Sequence, residues 1–577
     1  MPASIGTKCR SGRIPTLAIV ILVALAYSII HGLLRFVASP TLGTDDSLSL
    51  VYAQSWSFGY TRDKPPLYIW MLAAIQTLIG PNLTAVLFLK YALLISTCIF
   101  TYLAASRLLH NRSWGALAAF SLSLCFEIGW SMHEGVTYTA ALTTMIMGTL
   151  WVFLRLCDRG TWLDYLLFGI FCALGLLSNY NFIIFLAILL LSSFSLPSSR
   201  RRVQSPRALL SLFATLVLIT PFCAWLIVGD RAVDGVPSAA SAAAKAVQSF
   251  PSNDIIKQDH PAGRSDNPSS GEAIDYLDRE HSSIGHLTGR FGQLLEKDYI
   301  HRALAALLNM IQSPVIFLFP LIPVLPLLYP GSTTNFGKAA WTLGLQGLGN
   351  EHERLLLRMT LWAFAFLAFA VLIGFDRGGS EYMHPLFLPA VLLAVALAKH
   401  QHYSARQIYA YAATILVGAL IIIGFRIFAL FIGPPICGSC ETWARFEPLA
   451  DALRLAGAEK ATILTTDRMT AGNLRRLLPL AFVTIADRRS LIPQRQPESQ
   501  TGPVAVIEPT DEADKGRLLA LLCRARNKST PASPPEQRFV ISTDWPSQWK
   551  SHRQSVWQIT MYKPGEGCLA PTTPKAR

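Results

Sequence analysis

Residues Ile14–Leu34 read IPTLAIVILVALAYSIIHGLL, a block without a single Asp, Glu, Lys or Arg. About 20 apolar residues in a row can cross a hydrocarbon layer about 30 Å thick, and inside that layer the backbone must satisfy its own hydrogen bonds as a helix. Basic residues precede the block (Lys8, Arg10, Arg13), as they do in a signal peptide. Its core is longer than a usual h-region, however, and no clear small-residue cleavage site follows, so it is expected to remain as a signal anchor. The rest of the chain repeats the pattern. Its 577 residues are 52% hydrophobic and only 15% charged, against about 25% charged in soluble proteins.

Working outward, spans are expected near 14–34, 83–106, 113–127, 136–154, 162–177, 181–195, 208–228, 305–330, 359–375, 384–398 and 407–432, about eleven crossings. The stretch 66–80 is short for a crossing and reads as a helix lying at the outer interface. With the N-terminus inside, 16 Lys and Arg fall on cytoplasmic segments, against four in the short outer loops: Arg35, Arg62, Lys64 and Arg377. That bias supports a multi-pass inner-membrane protein with this orientation. The net charge of +14 fits the same picture. No basic stripe with interleaved aromatics and no zinc-ligand spacing appears, which argues against nucleic acid as a partner.

Two larger pieces then face outward. The loop 229–304 opens with a Ser-, Ala-, Pro- and Gly-rich stretch expected to be poorly structured, and turns helical over 272–308. The tail 433–577 alternates strand-like runs (ATILTT, FVTIAD, PVAVIE, FVIST) with helical ones (AGNLRRLL, KGRLLALLCRA), the pattern of a small extracytoplasmic α/β domain. Residues 1–432, with outer loops 35–82 and 229–304, make up the membrane domain. Four cysteines, Cys437, Cys440, Cys523 and Cys568, fall in the outer tail, where two disulfides are permitted. The pair at 437–440 is also compatible with a metal or redox site.

The first outer loop carries Asp45 and Asp46 just beyond the first span, and Lys64-Pro65-Pro66 follows. Prolines fix the local backbone and aim the lysine at the headgroup level. His133 and Glu134 sit in a second, very short outer loop, and Arg377, Tyr382 and His384 in a third, DRGGSEYMHP. Each acidic residue alone could be a solvated loop carboxylate. Together, acidic, basic and aromatic groups converge on one side of the bilayer.

These short motifs, taken in order, resemble a family. The Asp-Asp after the first span, KPPLYIW at 64–70, SMHEG at 131–135, GLLSNYNF at 175–182 and EYMHPLFLP at 381–389 are similar to the GT-C glycosyltransferases, within the protein O-mannosyltransferase and lipid A aminoarabinose transferase group. The resemblance covers roughly residues 10–400. It implies an α-helical polytopic membrane protein that transfers a sugar from a polyprenyl-phosphate donor to an envelope glycan, lipid or protein acceptor at the outer face. In that family an Asp-Glu after the first span supplies the catalytic acidic residue; Asp45 matches its first position and Asp46 replaces the Glu, so Asp45, Asp46 and Glu134 are the expected catalytic residues. Glu134 matches the acidic residue of the second loop, and Lys64 matches the lysine associated with the carrier phosphate. Arg377 and Tyr382 are expected to line the same phosphate site. Ser178-Asn179-Tyr180-Asn181 departs from the Lys-containing version found after Gly-Leu-Leu, so Asn179 receives no catalytic role.

The chemistry needs these residue types. The anomeric carbon is activated by a phosphate leaving group, and the acceptor must lose a proton as it attacks, which a carboxylate such as Asp45 can accept. A cation at the departing phosphate, lysine or a divalent metal, stabilises the negative charge that develops there. His133, Glu134 and His384 are the candidate metal ligands. A polytopic transporter or lipid-linked saccharide flippase is the main alternative, although such a protein should hold its ionisable groups near the midplane and often repeats its halves. No Walker A motif and no Gly-x-Gly-x-x-Gly after a strand is present, in keeping with a lipid-linked donor.

Overall fold

A computed structural model of the chain describes residues 16–135, 137–234, 315, 317–318, 321, 350–372, 384–399, 405–436, 444–485, 502–509, 537–544 and 554–562. The first apolar block is helix α1 (Thr16–Ala38), which ends with Arg35 in its last turn. A nine-residue helix, α2 (Thr44–Tyr52), carries the two aspartates, and α3 (Leu67–Ile79) is the short apolar helix expected at the interface. Next come α4 (Leu83–Leu109), capped by the Asn82 side chain, and α5 (Arg112–Ser121). A 3-10 turn and a π-turn (Glu127–Ser131) lead into the single turn α6 (Met132–Glu134).

After these follow α7 (Thr137–Asp158), α8 (Trp162–Ser178), α9 (Phe182–Phe194), α10 (Pro197–Val203), α11 (Ala208–Asp234), α12 (Glu351–Leu372), α13 (Leu388–Lys399) and α14 (Ala405–Ile436). Among the described residues five helices are long and apolar enough to cross a membrane, and up to seven if two bent pairs each count as one span. The protein is therefore a multi-pass membrane protein. The span expected at 305–330 and the loop at 229–304 lie almost wholly outside the described residues.

The expected span at 113–127 is one of the bent pairs: the chain turns by 72° between Arg112–Leu124 and Glu127–Glu134. Ser121 and Ser123 donate their hydroxyls back to Leu117 O (2.7 Å) and Phe120 O (2.8 Å), a competition with the helix ladder that favours bending. A Cβ on Gly129 would lie 2.2 Å from Ser123 O, so only glycine lets the two arms approach.

α7 is the core of the bundle, with 89% of its apolar window buried against 22% for α1 and 17% for α14, which keep most of their surface for lipid. Its Thr and Ala positions explain this, because small and hydroxyl-bearing side chains let helices pack closely without a hydrophobic driving force between them. Thr144 meets Thr97 of α4 at 2.9 Å, and Phe171 of α8 lies over Gly148.

The C-terminal part carries α15 (Glu447–Leu455), α16 (Arg468–Leu477) and a five-stranded sheet of β1 (Thr462–Thr465), β2 (Phe482–Ile485), β3 (Val504–Pro509), β4 (Gln537–Asp544) and β5 (Gln554–Tyr562), in the order β2-β1-β3-β5-β4. β1 pairs in parallel with β2 and β3, and β5 runs antiparallel to both β3 and β4. Every residue of β1 is buried, as a central β-branched strand requires. The helical run at 515–525 and the cysteines Cys437, Cys440, Cys523 and Cys568 lie outside the described residues. Contacts divide the chain into two compact units, one of residues 1–222, 314–363 and 381–577 and the other of 223–313 and 364–380.

Candidate active site

α2 begins at Gly43, whose extended backbone (φ −74°, ψ 173°) supplies no side-chain cap, and Asp45 and Asp46 fill the first turn. Negative charge there complements the exposed N–H groups of a helix start. Adjacent helical positions point about 100° apart, so the pair divides into two environments. Asp45 keeps 32% of its side chain exposed and takes Lys64 Nζ at 3.0 Å. Lys64 also lies 4.4 Å from the centre of the Tyr138 ring, whose hydroxyl accepts from Ser49 at 3.2 Å. Asp46 is 1% exposed, accepts Thr137 Oγ1 at 2.5 Å and faces the wholly buried Lys90 at 3.4 Å.

The loop between α2 and α3 is held by its own aromatics. Tyr60 donates to Ser55 O at 2.9 Å, and burial pushes its hydroxyl up to about 12, so it remains a donor. Trp70 donates its indole N–H to Ser57 O at 2.7 Å, and Tyr180, from the turn between α8 and α9, donates to Arg62 O at 2.7 Å. These contacts fix the strip that carries Lys64.

Glu134, half-exposed, pairs with the buried Arg426 of α14 at 2.6 Å. Its neighbour His133 turns inward, stacked on His31 of α1 with ring centres 3.9 Å apart and with Nδ1 3.4 Å from Tyr91 Oη. From its place after the first span Arg35 is expected among the outer-loop charges. It is instead buried at the end of α1, donating to Ser39 O and Thr41 O at 2.6 Å each, within electrostatic reach of Asp46, Glu134 and Arg426. Among the described residues four cations, Arg35, Lys64, Lys90 and Arg426, thus stand with the carboxylates Asp45, Asp46 and Glu134 and with Asp63, which acts on Tyr138.

Lys90, Arg426 and the buried placement of Arg35 were not singled out from sequence. The signal was available for two of them: Lys90 and Arg426 interrupt apolar helices, and an ionisable residue inside a span marks a functional position by default. Arg377 and Tyr382 lie outside the described residues. His384 opens a 3-10 turn (His384–Phe387) that packs against α7. His133 and Glu134 face different partners, and among the described residues no three His, Cys, Asp or Glu side chains are grouped as a metal ion would need.

Residues 63–225 match the family described as dolichyl-phosphate-mannose-protein mannosyltransferase. Two proteins of Rhizobium johnstonii are similar in sequence: the lipopolysaccharide core galacturonosyltransferase RgtA, 29% identical, and RgtB, 27% identical, each over 201 residues. Each match covers 35% of this chain and 40% of the relative, so the chain spans well under two thirds of the curated relatives it matches. In three dimensions it is similar to ArnT from Cupriavidus metallidurans, solved bound to undecaprenyl phosphate and in the apo state, with a TM-score of 0.50 for both. Identities there are 13% and 12%, with 93% of this chain and 97% of ArnT covered, a likeness of fold. In sequence and in fold, the chain resembles the GT-C superfamily of glycosyltransferases, as the order of its short motifs implied.

Proposed function

We propose that this protein transfers a sugar from a polyprenyl-phosphate donor to an envelope glycan, lipid or protein acceptor at the outer face of the inner membrane, with its N-terminus cytoplasmic and its C-terminal sheet extracytoplasmic. The observation that carries the reading is the Asp45–Lys64 pair: a partly exposed carboxylate beside a partly exposed cation. The ArnT structure with undecaprenyl phosphate supports the donor class, and the lipopolysaccharide core transferases favour a glycan acceptor.

Asp45 accepts the proton of the acceptor hydroxyl as its oxygen attacks the anomeric carbon. The carbon–oxygen bond to the carrier phosphate breaks, and its electron pair leaves with the phosphate oxygen, where Lys64 stabilises the charge. The two roles are linked, because an incoming phosphate draws Lys64 away from Asp45 and frees the carboxylate for the acceptor. Asp46, buried against Lys90, anchors α2 and leaves the proton transfer to Asp45. Glu134, held by Arg426, orients the acceptor, while Arg377 and Tyr382 contribute to the phosphate site.

The test is direct: purified protein in lipid nanodiscs is given an undecaprenyl-phosphate sugar and a delipidated envelope glycan fraction, and transferred sugar is measured by mass spectrometry. Transfer with release of undecaprenyl phosphate is expected. Movement of the intact lipid-linked sugar between leaflets of sealed proteoliposomes, with no transfer in nanodiscs, would replace this reading with a flippase.

A further inference from the structure

The acidic helix is too short to hold its own shape. A nine-residue helix with no side-chain cap is marginal alone, so its position must come from what surrounds it. The C-terminal part grips it at both ends, through α16 at one and the sheet at the other. At the entrance, Leu42 N donates to Asn473 Oδ1 at 2.9 Å, and Asn473 Nδ2 returns a bond to Leu42 O at 3.2 Å. Beside this, Thr41 Oγ1 donates to Ala444 O at 2.8 Å. At the exit, Gln54 repeats the arrangement on β2: its Nε2 donates to Val483 O at 2.5 Å and its Oε1 accepts Val483 N at 3.2 Å.

Between the two grips the surfaces touch. A Cβ on Gly472 would stand 2.2 Å from Ser47 Cα, so α16 lies directly on the backbone of α2. α16 is itself fixed to the sheet, with Asp467 capping its N-terminus and Trp557 of β5 donating to Thr470 Oγ1 at 3.2 Å. Apolar packing alone would supply adhesion. Two reciprocal side-chain-to-backbone pairs, one with the wholly buried Asn473, do something more: they set the register of α2. A slip of one residue would rotate the helix by about 100° and turn Asp46 where Asp45 stood.

We propose that the C-terminal sheet is a working part of the active site, with Asn473 and Gln54 as positioning residues that hold Asp45 at its working angle. The proposal rests on the reading of Asp45 as the base. It gives the sheet a role in turnover rather than in adhesion alone.

The experiment uses the full chain in nanodiscs and reads two quantities for Asn473→Ala and Gln54→Ala: steady-state transfer, and hydrogen–deuterium exchange of the segment spanning residues 40–54. A displacement of about 1 Å at a reacting group can lower turnover about 100-fold, so kcat is expected to fall about 10- to 100-fold. The donor KM should stay within about two-fold, since Lys64 is untouched. Exchange should quicken over 40–54 and remain unchanged in α7. Gln54→Glu, which keeps the acceptor for Val483 N, should recover part of kcat.

Turnover within two-fold of wild type despite faster exchange would make the contacts adhesive only and overturn the proposal. So would unchanged exchange in both variants. Should Asn473→Ala disturb the whole chain, Gln54→Ala decides at the opposite end of the helix. Should the wild-type protein transfer no sugar, the proposed function fails, and the exchange over residues 40–54 still decides whether the sheet holds α2.

Discussion

Two regions of the membrane domain are rich in ion pairs, and they use their charges differently. At the α7–α8 turn, the fully buried Asp164 accepts Arg155 Nε at 2.5 Å, Thr161 N at 3.0 Å and Thr161 Oγ1 at 2.6 Å, and Asp158, though 37% exposed, is engaged twice, by Arg107 and His352 at 2.9 and 2.8 Å. Asp164 is saturated by local partners, as a structural carboxylate should be. Around α2, Asp45 and Glu134 each hold one ion pair among the described residues while 32% and 49% of their side chains stay exposed. Charge that is fully satisfied locks a turn, whereas charge with capacity left over can meet a ligand. The same distinction separates Asp46 from Asp45 within one helical turn.

That comparison breaks most visibly at Asp45. Asp45→Asn keeps the shape of the side chain and removes its ability to take a proton, so transfer should fall about 100- to 10,000-fold with insertion and folding intact. Wild-type turnover in this variant would falsify the assignment of the base. Asp46→Asn should act on a different quantity. It leaves the buried Lys90 without its counter-charge, a change that typically costs about 3–5 kcal/mol, and thermal unfolding of the purified protein should move down accordingly. An Asp46→Asn protein with unchanged stability and lost transfer would place the chemistry on the wrong aspartate.

Much of this arrangement was legible in the sequence, and the reasons can be stated residue by residue. Asp45, Asp46 and Lys64 stand out because charge next to a span contrasts with what precedes it, and the strand-like runs of the tail reappear as β1 to β4. The strand QSVWQITMY, now β5, lies outside those runs although Trp557, Ile559 and Met561 alternate onto one buried face. The bend after Leu124 was not foreseen, since hydropathy averages over a helix break. Least legible were the contacts of Asn473 with Leu42, which join positions 431 residues apart. An asparagine in a polar amphipathic helix carries no mark of a partner that distant.

The Asp45–Lys64 pair gives the next largest expected effect. Lys64→Ala removes one charge-assisted contact to the donor phosphate, and such contacts contribute about 1.5–3 kcal/mol, so kcat/KM for the donor should fall about 10- to 100-fold. The same change leaves Asp45 without its ion pair, so part of the loss belongs to the carboxylate rather than to the donor. Titrating undecaprenyl phosphate alone separates the two: weaker binding of the carrier assigns the effect to the phosphate contact. Unaltered carrier binding would move Lys64 from the donor site to the support of Asp45.

The smallest expected effect lies at the saturated turn and tests the comparison from its other side. Thr161 caps α8 by accepting Asp164 N while the Asp164 carboxylate accepts Thr161 N and Oγ1, a reciprocal capping box. Thr161→Ala removes the hydroxyl and leaves the carboxylate with Arg155 and one backbone N–H, so the loss should be about 1 kcal/mol, the usual value of an N-cap. Thermal unfolding should shift slightly, and transfer per folded molecule should not change. The turn would then be structural, as its full hydrogen bonding indicates. Altered kcat at unchanged stability in Thr161→Ala would mean that saturation of a carboxylate fails to separate structural from functional charge in this protein, and the contrast between the two regions would lose its physical basis.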